Sequence, residues 1–226
     1  MNKTIQKKSI NESIDNKITT HNSSNELPFI NETKDMYFDS FNALKDIKDN
    51  ALLKLEYLRP SNDNFMSDVF GLMGIMNDKE TEKYFPEFYG EKCTKGLILY
   101  LNNTCQVTSI GIGFAYLMKE FGTYTCGIVK VTSPAHNRIT NNFNHWLIDF
   151  IVVPESRRKG YATFAVRKIL EVVQRMDAKE IFAMVDCENK ASMKVLEKCG
   201  FYKTQLFDVG INPHTKNKVY LFRKTF

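Results

Sequence analysis

The sequence predicts a single mixed α+β domain, a central sheet with helices packed on it, behind a polar extension. Three observations carry this. Strand-type and helix-type hydrophobic patterns alternate in the order β-α-α-β-β-β-α-β-α-β-β. One run, Asn144–Pro154 (NHWLIDFIVVP), is almost wholly apolar and β-branched or aromatic, the pattern of a strand buried on both faces. The 226 residues are 43% hydrophobic and 25% charged, ordinary globular values that argue against wholesale disorder, collagen or a disulfide-stapled miniprotein.

Residues 1–50 read as a polar, flexible N-terminal extension and residues 51–226 as the domain. The first 26 residues are rich in Asn, Ser, Thr and Lys, and their isolated Ile residues follow neither period, so they bury too little surface to order themselves. A short helix is expected over Asp39–Asn50, because Phe41, Leu44, Ile47 and Leu52 fall near helical spacing. Seven lysines against eight acidic residues leave the extension near neutral, so of the overall +5 the remaining chain carries about +6 and the positive charge belongs to the domain. That balance suits an acidic partner without diagnosing nucleic acid. The opening MNKTIQKKSINESIDNK lacks an apolar stretch and a small-residue cleavage site, and no secretory signal is read there. Cys93, Cys105, Cys126, Cys187 and Cys199 form neither C-x-x-C nor a Cys/His cluster, so a reducing cytoplasmic setting without a metal site is expected. Gly96–Met118 carries no charge, but Asn102, Asn103 and Gln106 inside it make a membrane span costly; it reads as a helix end, a turn and a strand.

Leu53, Leu55 and Tyr57 share one parity, so LKLEYLRP is a strand stopped by Pro60. Ser61-Asn62-Asp63 offer N-caps to a helix whose Phe65, Met66, Val69, Phe70, Met73 and Met76 recur at three- and four-residue steps. A weaker helix is expected between Lys92 and Asn103. Three β segments follow, Ile110–Lys119, Thr123–Thr132 and Phe143–Val153, joined by turn material at Glu120-Phe121-Gly122 and Ser133–Asn142. A helix beginning near Gly160 carries Ala162, Ala165, Val166, Ile169, Leu170 and Val173 on its apolar stripe. The strand Glu180–Asp186, a helix over Asn189–Cys199 closed by Gly200 at C′, and a hairpin of Phe201–Val209 with Lys218–Lys224 complete the domain.

Chemistry concentrates in Ile151–Ala162, IVVPESRRKGYA. A buried strand runs into a short loop holding Arg157, Arg158 and Lys159, and Gly160 turns the backbone where a helix starts. Free N–H groups at a helix N-terminus, with the positive end of its dipole, bind phosphate. Three cations add charge-assisted hydrogen bonds. The same residues also fit a solvated basic turn with a helix-starting glycine. Neither the dinucleotide G-x-G-x-x-G nor the P-loop pattern occurs.

Val152-Val153-Pro154 followed by Arg157-x-x-Gly160-x-Ala162 resembles the acetyl-CoA signature of the GCN5-related N-acetyltransferase (GNAT) superfamily, [QR]-x-x-G-x-[GA] after a V-x-P strand end. A second motif follows after a helix and a strand: Asn189-x-x-Ser192-x-x-x-Leu196-Glu197-Lys198-Cys199-Gly200-Phe201 is most similar to the ribosomal-protein-alanine (RimJ/RimL-like) branch. Clear resemblance covers Asn144–Phe207; residues 52–143 match only in the order of elements, and residues 1–50 not at all. The resemblance implies a mostly antiparallel twisted sheet of about seven strands with helices on both faces, and acetyl-CoA as co-substrate with no metal.

It also implies roles. The backbone of Ile151, Val152 and Val153 hydrogen-bonds the pantetheine arm like an added strand. The pyrophosphate lies on the N–H groups of Arg157, Arg158, Lys159, Gly160, Tyr161 and Ala162. Asn189 pairs with a pantetheine amide, caps the following helix, or does both. Direct transfer needs a neutral amine and a donor for the departing thiolate. The tyrosine that donates in many relatives is Leu196 here, and Ser192 is the substitute. As base, Asp149 lies between Leu147 and Ile151 of the same parity, an apolar setting that favours the protonated form of a carboxyl; a partnered structural carboxylate fits equally. His145, on the same parity, acts through water or is simply a strand-end residue. Asp186 is a third candidate, or a loop cap.

The function so implied is transfer of acetyl from acetyl-CoA to a primary amine, small molecule or protein N-terminus, by direct attack in a ternary complex. A cytoplasmic monomer or homodimer with neither nucleic acid nor membrane as partner is expected. The alternative is a catalytically weak acyl-CoA-binding or sensing module, supported by Leu196. Phe65, Phe70, Tyr84, Phe85 and Tyr89 line an acceptor pocket or are plain core.

Overall fold

A computed structural model describes residues 44–48, 52–59, 63–85, 94–134, 145–204, 211–212 and 215–226. In chain order the elements are β1 (Ile47–Lys48), β2 (Leu53–Tyr57), α1 (Phe65–Leu72), a 3-10 turn over Met73–Ile75, α2 (Lys79–Tyr84), α3 (Thr94–Ser109), β3 (Gly113–Glu120), β4 (Tyr124–Thr132), β5 (Trp146–Val152), a 3-10 turn over Pro154–Ser156, α4 (Tyr161–Arg175), β6 (Glu180–Asp186), α5 (Lys190–Lys198), β7 (Tyr202–Lys203) and β8 (Val219–Thr225). The strands form one open sheet in the order β1-β2-β3-β4-β5-β6-β8-β7. Every neighbouring pair is antiparallel except β5 and β6, the βαβ unit around α4.

Two adjacent residues of β3 show how the faces divide. Successive strand residues point to opposite faces. Lys119 reaches the Asp68 carboxylate of α1, while Glu120 accepts a hydrogen bond from Tyr161 at the start of α4. Thus α1 and the α3 packed against it cover one face, and α4 with α5 covers the other. The Lys119–Asp68 pair is fully interior, and Thr125 Oγ1 donates to the same Asp68 oxygen at 2.6 Å. On α4 the predicted stripe is buried at Ala165, Val166, Ile169, Leu170 and Val173, Ala162 is half-buried, and Val172 is buried besides, each large aliphatic side chain contributing about 1.5–3 kcal/mol by leaving water.

Several sequence expectations need correction. The helix expected over Asp39–Asn50 is not formed in its described part: Ile47 and Lys48 pair with Leu55 and Lys54 as an edge strand. There the edge of β2 supplies ladder hydrogen bonds that outweigh a helical spacing of only four apolar residues. The Lys92–Asn103 helix is α3, which continues to Ser109. In its hydroxyl-rich end Thr104, Thr108 and Ser109 each donate to the carbonyl four residues back, so these hydroxyls are satisfied inside the helix. The strand expected from Ile110 therefore starts at Gly113. Of Phe201–Val209 only Tyr202–Lys203 is strand among the described residues. β5 is not buried on both faces throughout, since Leu147, Asp149 and Phe150 are half-buried. Helix α2 was not foreseen. Asp78 caps it, accepting from Thr81 N at 2.9 Å, with Glu80 and Glu82 in the first turn and Lys83 in the last.

Candidate active site

The parallel strands β5 and β6 are joined over two residue pairs only, Trp146 with Ile181 and Leu147 with Phe182. Beyond Leu147 the rest of β5 and of β6 runs on without a ladder between them. Backbone groups alternate sides along an antiparallel strand. Val153 N donates to Cys126 O on the β4 side, so Ile151 and Val153 face β4. Beyond the ladder the Ile148 C=O, both backbone groups of Phe150 and the Val152 N–H turn into the gap, the Val152 carbonyl being taken by Arg157 Nε at 3.1 Å. Of the three residues expected to offer backbone to the cofactor arm, the register turns only Val152 that way.

At the open end of the gap the chain makes an anion nest. Arg158 (φ 63) and Gly160 (φ 87) both have left-handed backbone, a conformation that glycine adopts freely and arginine rarely. A Cβ at Gly160 would meet no atom within 4 Å, so its need is conformational rather than steric. The first intrahelical bond of α4 runs from Phe164 N to Gly160 O at 3.0 Å. The N–H groups of Tyr161, Ala162 and Thr163 therefore have no intrahelical acceptor and converge at the positive end of a 15-residue helix. Left-handed residues beside a helix start form a concavity for anions.

The three loop cations are used differently. The Arg157 guanidinium donates from Nη2 to Asp78 Oδ2 at 2.5 Å and to Thr81 Oγ1 at 3.1 Å, and from Nε to the Val152 carbonyl at 3.1 Å. Lys159 Nζ lies 2.8 Å from Glu120 Oε1. Arg158 is exposed. Glu120 also accepts from Tyr161 OH at 2.7 Å and Ser156 Oγ at 2.9 Å. Lys159 first, then those hydroxyls, hold its carboxyl below the ordinary range against the effect of burial, and burial with the Glu120 contact pushes the Tyr161 phenol up to about 12. Sequence reasoning missed Asp78 and Glu120. The Asp78 cap was readable locally; Glu120 lies 36 to 41 residues from its partners and looks like turn material.

Across the gap, Asn189 caps α5, its Oδ1 accepting from Ser192 N at 3.0 Å, and its Nδ2 has no acceptor among the described residues. Ser192 is half-buried in the first turn. Leu196 is fully buried and presents no donor. Asp149 stands opposite Lys130, whose Nζ lies over the Tyr100 ring of α3; this puts Asp149 on the α3 face, two residues past the last β5–β6 pair. His145 is at the closed end, its Nδ1 3.0 Å from Glu180 and its ring against Phe182. The Asp186 carboxylate accepts from Thr215, Asn212, Asn217 and the Glu188 backbone. Burial alone would raise its pKa, but these donors hold it below the ordinary range and tie it to the loop. Phe65, Tyr84 and Phe85 are half-buried and Phe70 is exposed; Tyr89 lies outside the described residues.

A parted parallel pair leading into an anion nest fits the arrangement that the motif resemblance implies, and residues 57–202 match the family model described as an acetyltransferase (GNAT) domain. The chain belongs to the GNAT acetyltransferase family. No curated protein sequence matches it. Similar solved structures include a GNAT-family acetyltransferase from Bacillus anthracis, 20% identical, covering 80% of this chain and 98% of that one with a TM-score of 0.62. The Microcin C7 self-immunity acetyltransferase, in complex with acetyl-CoA and AMP, is 17% identical over 78% of this chain and 94% of that one, with a TM-score of 0.61. RimL, the ribosomal L7/L12 alpha-N-protein acetyltransferase, in complex with coenzyme A, is 12% identical over 80% and 98%, with a TM-score of 0.63. The fold is shared with these proteins, RimL among them as the Asn189–Phe201 motif implies. Among the described residues, no helix is long and apolar enough to cross a membrane.

Proposed function

We propose that the chain transfers an acetyl group from acetyl-CoA to a primary amine, a protein N-terminus or a small-molecule amine, by direct attack in a ternary complex. The observation that carries this reading is the gap opened beyond Leu147 and Phe182, which ends at the Arg157–Ala162 nest. A gap with free strand backbone takes an extended amide-bearing arm, and a nest at a helix start takes a diphosphate. The acetyl-CoA and coenzyme A complexes of proteins with this fold support it.

When bound, acetyl-CoA supplies an activated thioester. The Ile148 C=O, the Phe150 N–H and C=O and the Val152 N–H are the groups offered to its arm, with the buried side chains of Ile151 and Val153 close by. The N–H groups from Arg158 to Ala162, with the Arg158 guanidinium, hold the diphosphate, the Arg157 N–H being bonded to the Pro154 carbonyl at 3.3 Å, and Asn189 Nδ2 donates to an arm amide. Asp149 lies four residues, about 13 Å of strand, upstream of Val153, and takes the proton from the attacking amine nitrogen. Ser192 Oγ donates to the departing sulfur. His145 orders the start of β5 through Glu180.

The test is thiol release from acetyl-CoA in the presence of polyamines, aminoglycosides, amino acids and peptides bearing protein N-termini. At least one amine should accelerate release. Tight coenzyme A binding with no acceleration by any amine would favour the alternative, an acyl-CoA-binding or sensing module.

A further inference from the structure

Glu120 collects three donors from three different positions around the nest: Ser156 before it, Lys159 in its middle and Tyr161 where α4 starts. The carboxylate itself belongs to the last residue of β3 and is nearly inaccessible. Between those donors lie the two left-handed residues, Arg158 and Gly160. A backbone held in a sparsely populated conformation persists only where its surroundings over-determine it. Here the surroundings are one buried anion beneath the loop and the Asp78–Arg157 pair at its entry. Lys159, adjacent in sequence to the exposed Arg158, is partnered by Glu120 rather than left to an external anion.

We infer that Glu120 is a positioning residue for diphosphate recognition: it holds the Ser156–Tyr161 loop in its anion-binding shape from below and fixes the Lys159 ammonium and the Tyr161 phenol to the fold. The diphosphate is then recognised by backbone N–H groups and Arg158. This rests on the reading of Arg157–Ala162 as the diphosphate seat. Glu120 touches neither cofactor nor acceptor; it acts through the loop. The Tyr161 hydroxyl contributes only through Glu120, so the two residues form one unit.

The experiment is calorimetric titration of coenzyme A into the full chain and into E120Q, Y161F and the double variant, with trypsin cleavage at Arg157-Arg158-Lys159 as the second readout. Glutamine cannot accept from all three donors, so E120Q should weaken coenzyme A about tenfold, the loss of one charge-assisted hydrogen bond. Y161F should weaken it less, and the double variant no more than E120Q alone. Trypsin should cut E120Q faster at the loop than elsewhere in the chain, which general destabilisation would not do. Unchanged coenzyme A affinity in E120Q, independent additive effects of the two substitutions, or uniform acceleration of cleavage would overturn the proposal. No coenzyme A uptake by the unsubstituted protein would overturn the cofactor reading itself, a result distinct from equal uptake by both proteins.

Discussion

Arg157 Nη2 donates to Asp78 Oδ2 at 2.5 Å, although 79 residues separate them. Because Arg157 ends the β5 arm and Asp78 caps α2, the pair ties the phosphate-binding bend to the helix on the other side of the gap. Lys83 of the same helix lies 2.7 Å from Glu188, which follows β6. Helix α2 therefore bridges the separated ends of β5 and β6, whose own ladder stops at Leu147 and Phe182.

Burial alone would push the Asp78 carboxyl up, but Arg157 and Thr81 outweigh it and hold the group below its ordinary value of 3.8. A carboxyl held low in the folded state stabilises the protein above its ordinary pKa and ceases to do so as pH falls through the folded value. D78N should cost about 1–2 kcal/mol at neutral pH, and the difference from the unsubstituted protein should shrink as pH drops below about 4. Urea denaturation at several pH values measures both.

The buried Lys119–Asp68 pair makes an asymmetric prediction. D68L leaves the buried ammonium only the more distant Glu56 carboxylate, 3.6 Å away, and should cost about 2–4 kcal/mol, whereas D68L with K119M should recover most of that loss. Equal destabilisation by both, measured by denaturant midpoint, would count against an uncompensated charge as the cause.

Arg158 separates backbone from charge. With φ at 63 its conformation is one that glycine adopts without penalty, so R158G should leave thermal stability unchanged or raise it by up to about 1 kcal/mol. Coenzyme A affinity should nevertheless fall, and with a weaker salt dependence. A variant that is less stable yet binds as before would contradict this assignment.

Asp149 is the proposed proton acceptor. D149N should lower turnover by about a hundredfold or more with the best amine, flatten the acid limb of the pH profile and leave coenzyme A affinity intact. An unchanged pH profile removes Asp149 from the role.

What the sequence made legible was local. The Arg157–Ala162 bend, the α4 stripe and the Asn189 cap each depend on residues within one or two turns, and the structure forms all three. Only the added-strand contact that the family resemblance implies hinted at the gap between β5 and β6, because where a ladder ends depends on two strands 28 residues apart or more. Glu120 and Arg157 owe their roles to partners 36 to 79 residues distant, and their short-range context reads as turn and as phosphate ligand. Ile47 carried a real helical spacing, but pairing with Leu55 decided its structure.

Calorimetric titration of coenzyme A into the full chain and into R158E tests the central claim most directly. Saturable one-to-one binding, weakened at least tenfold by R158E with no loss of thermal stability, is the predicted result. Absence of binding to the unsubstituted protein, or equal binding by R158E, would contradict it.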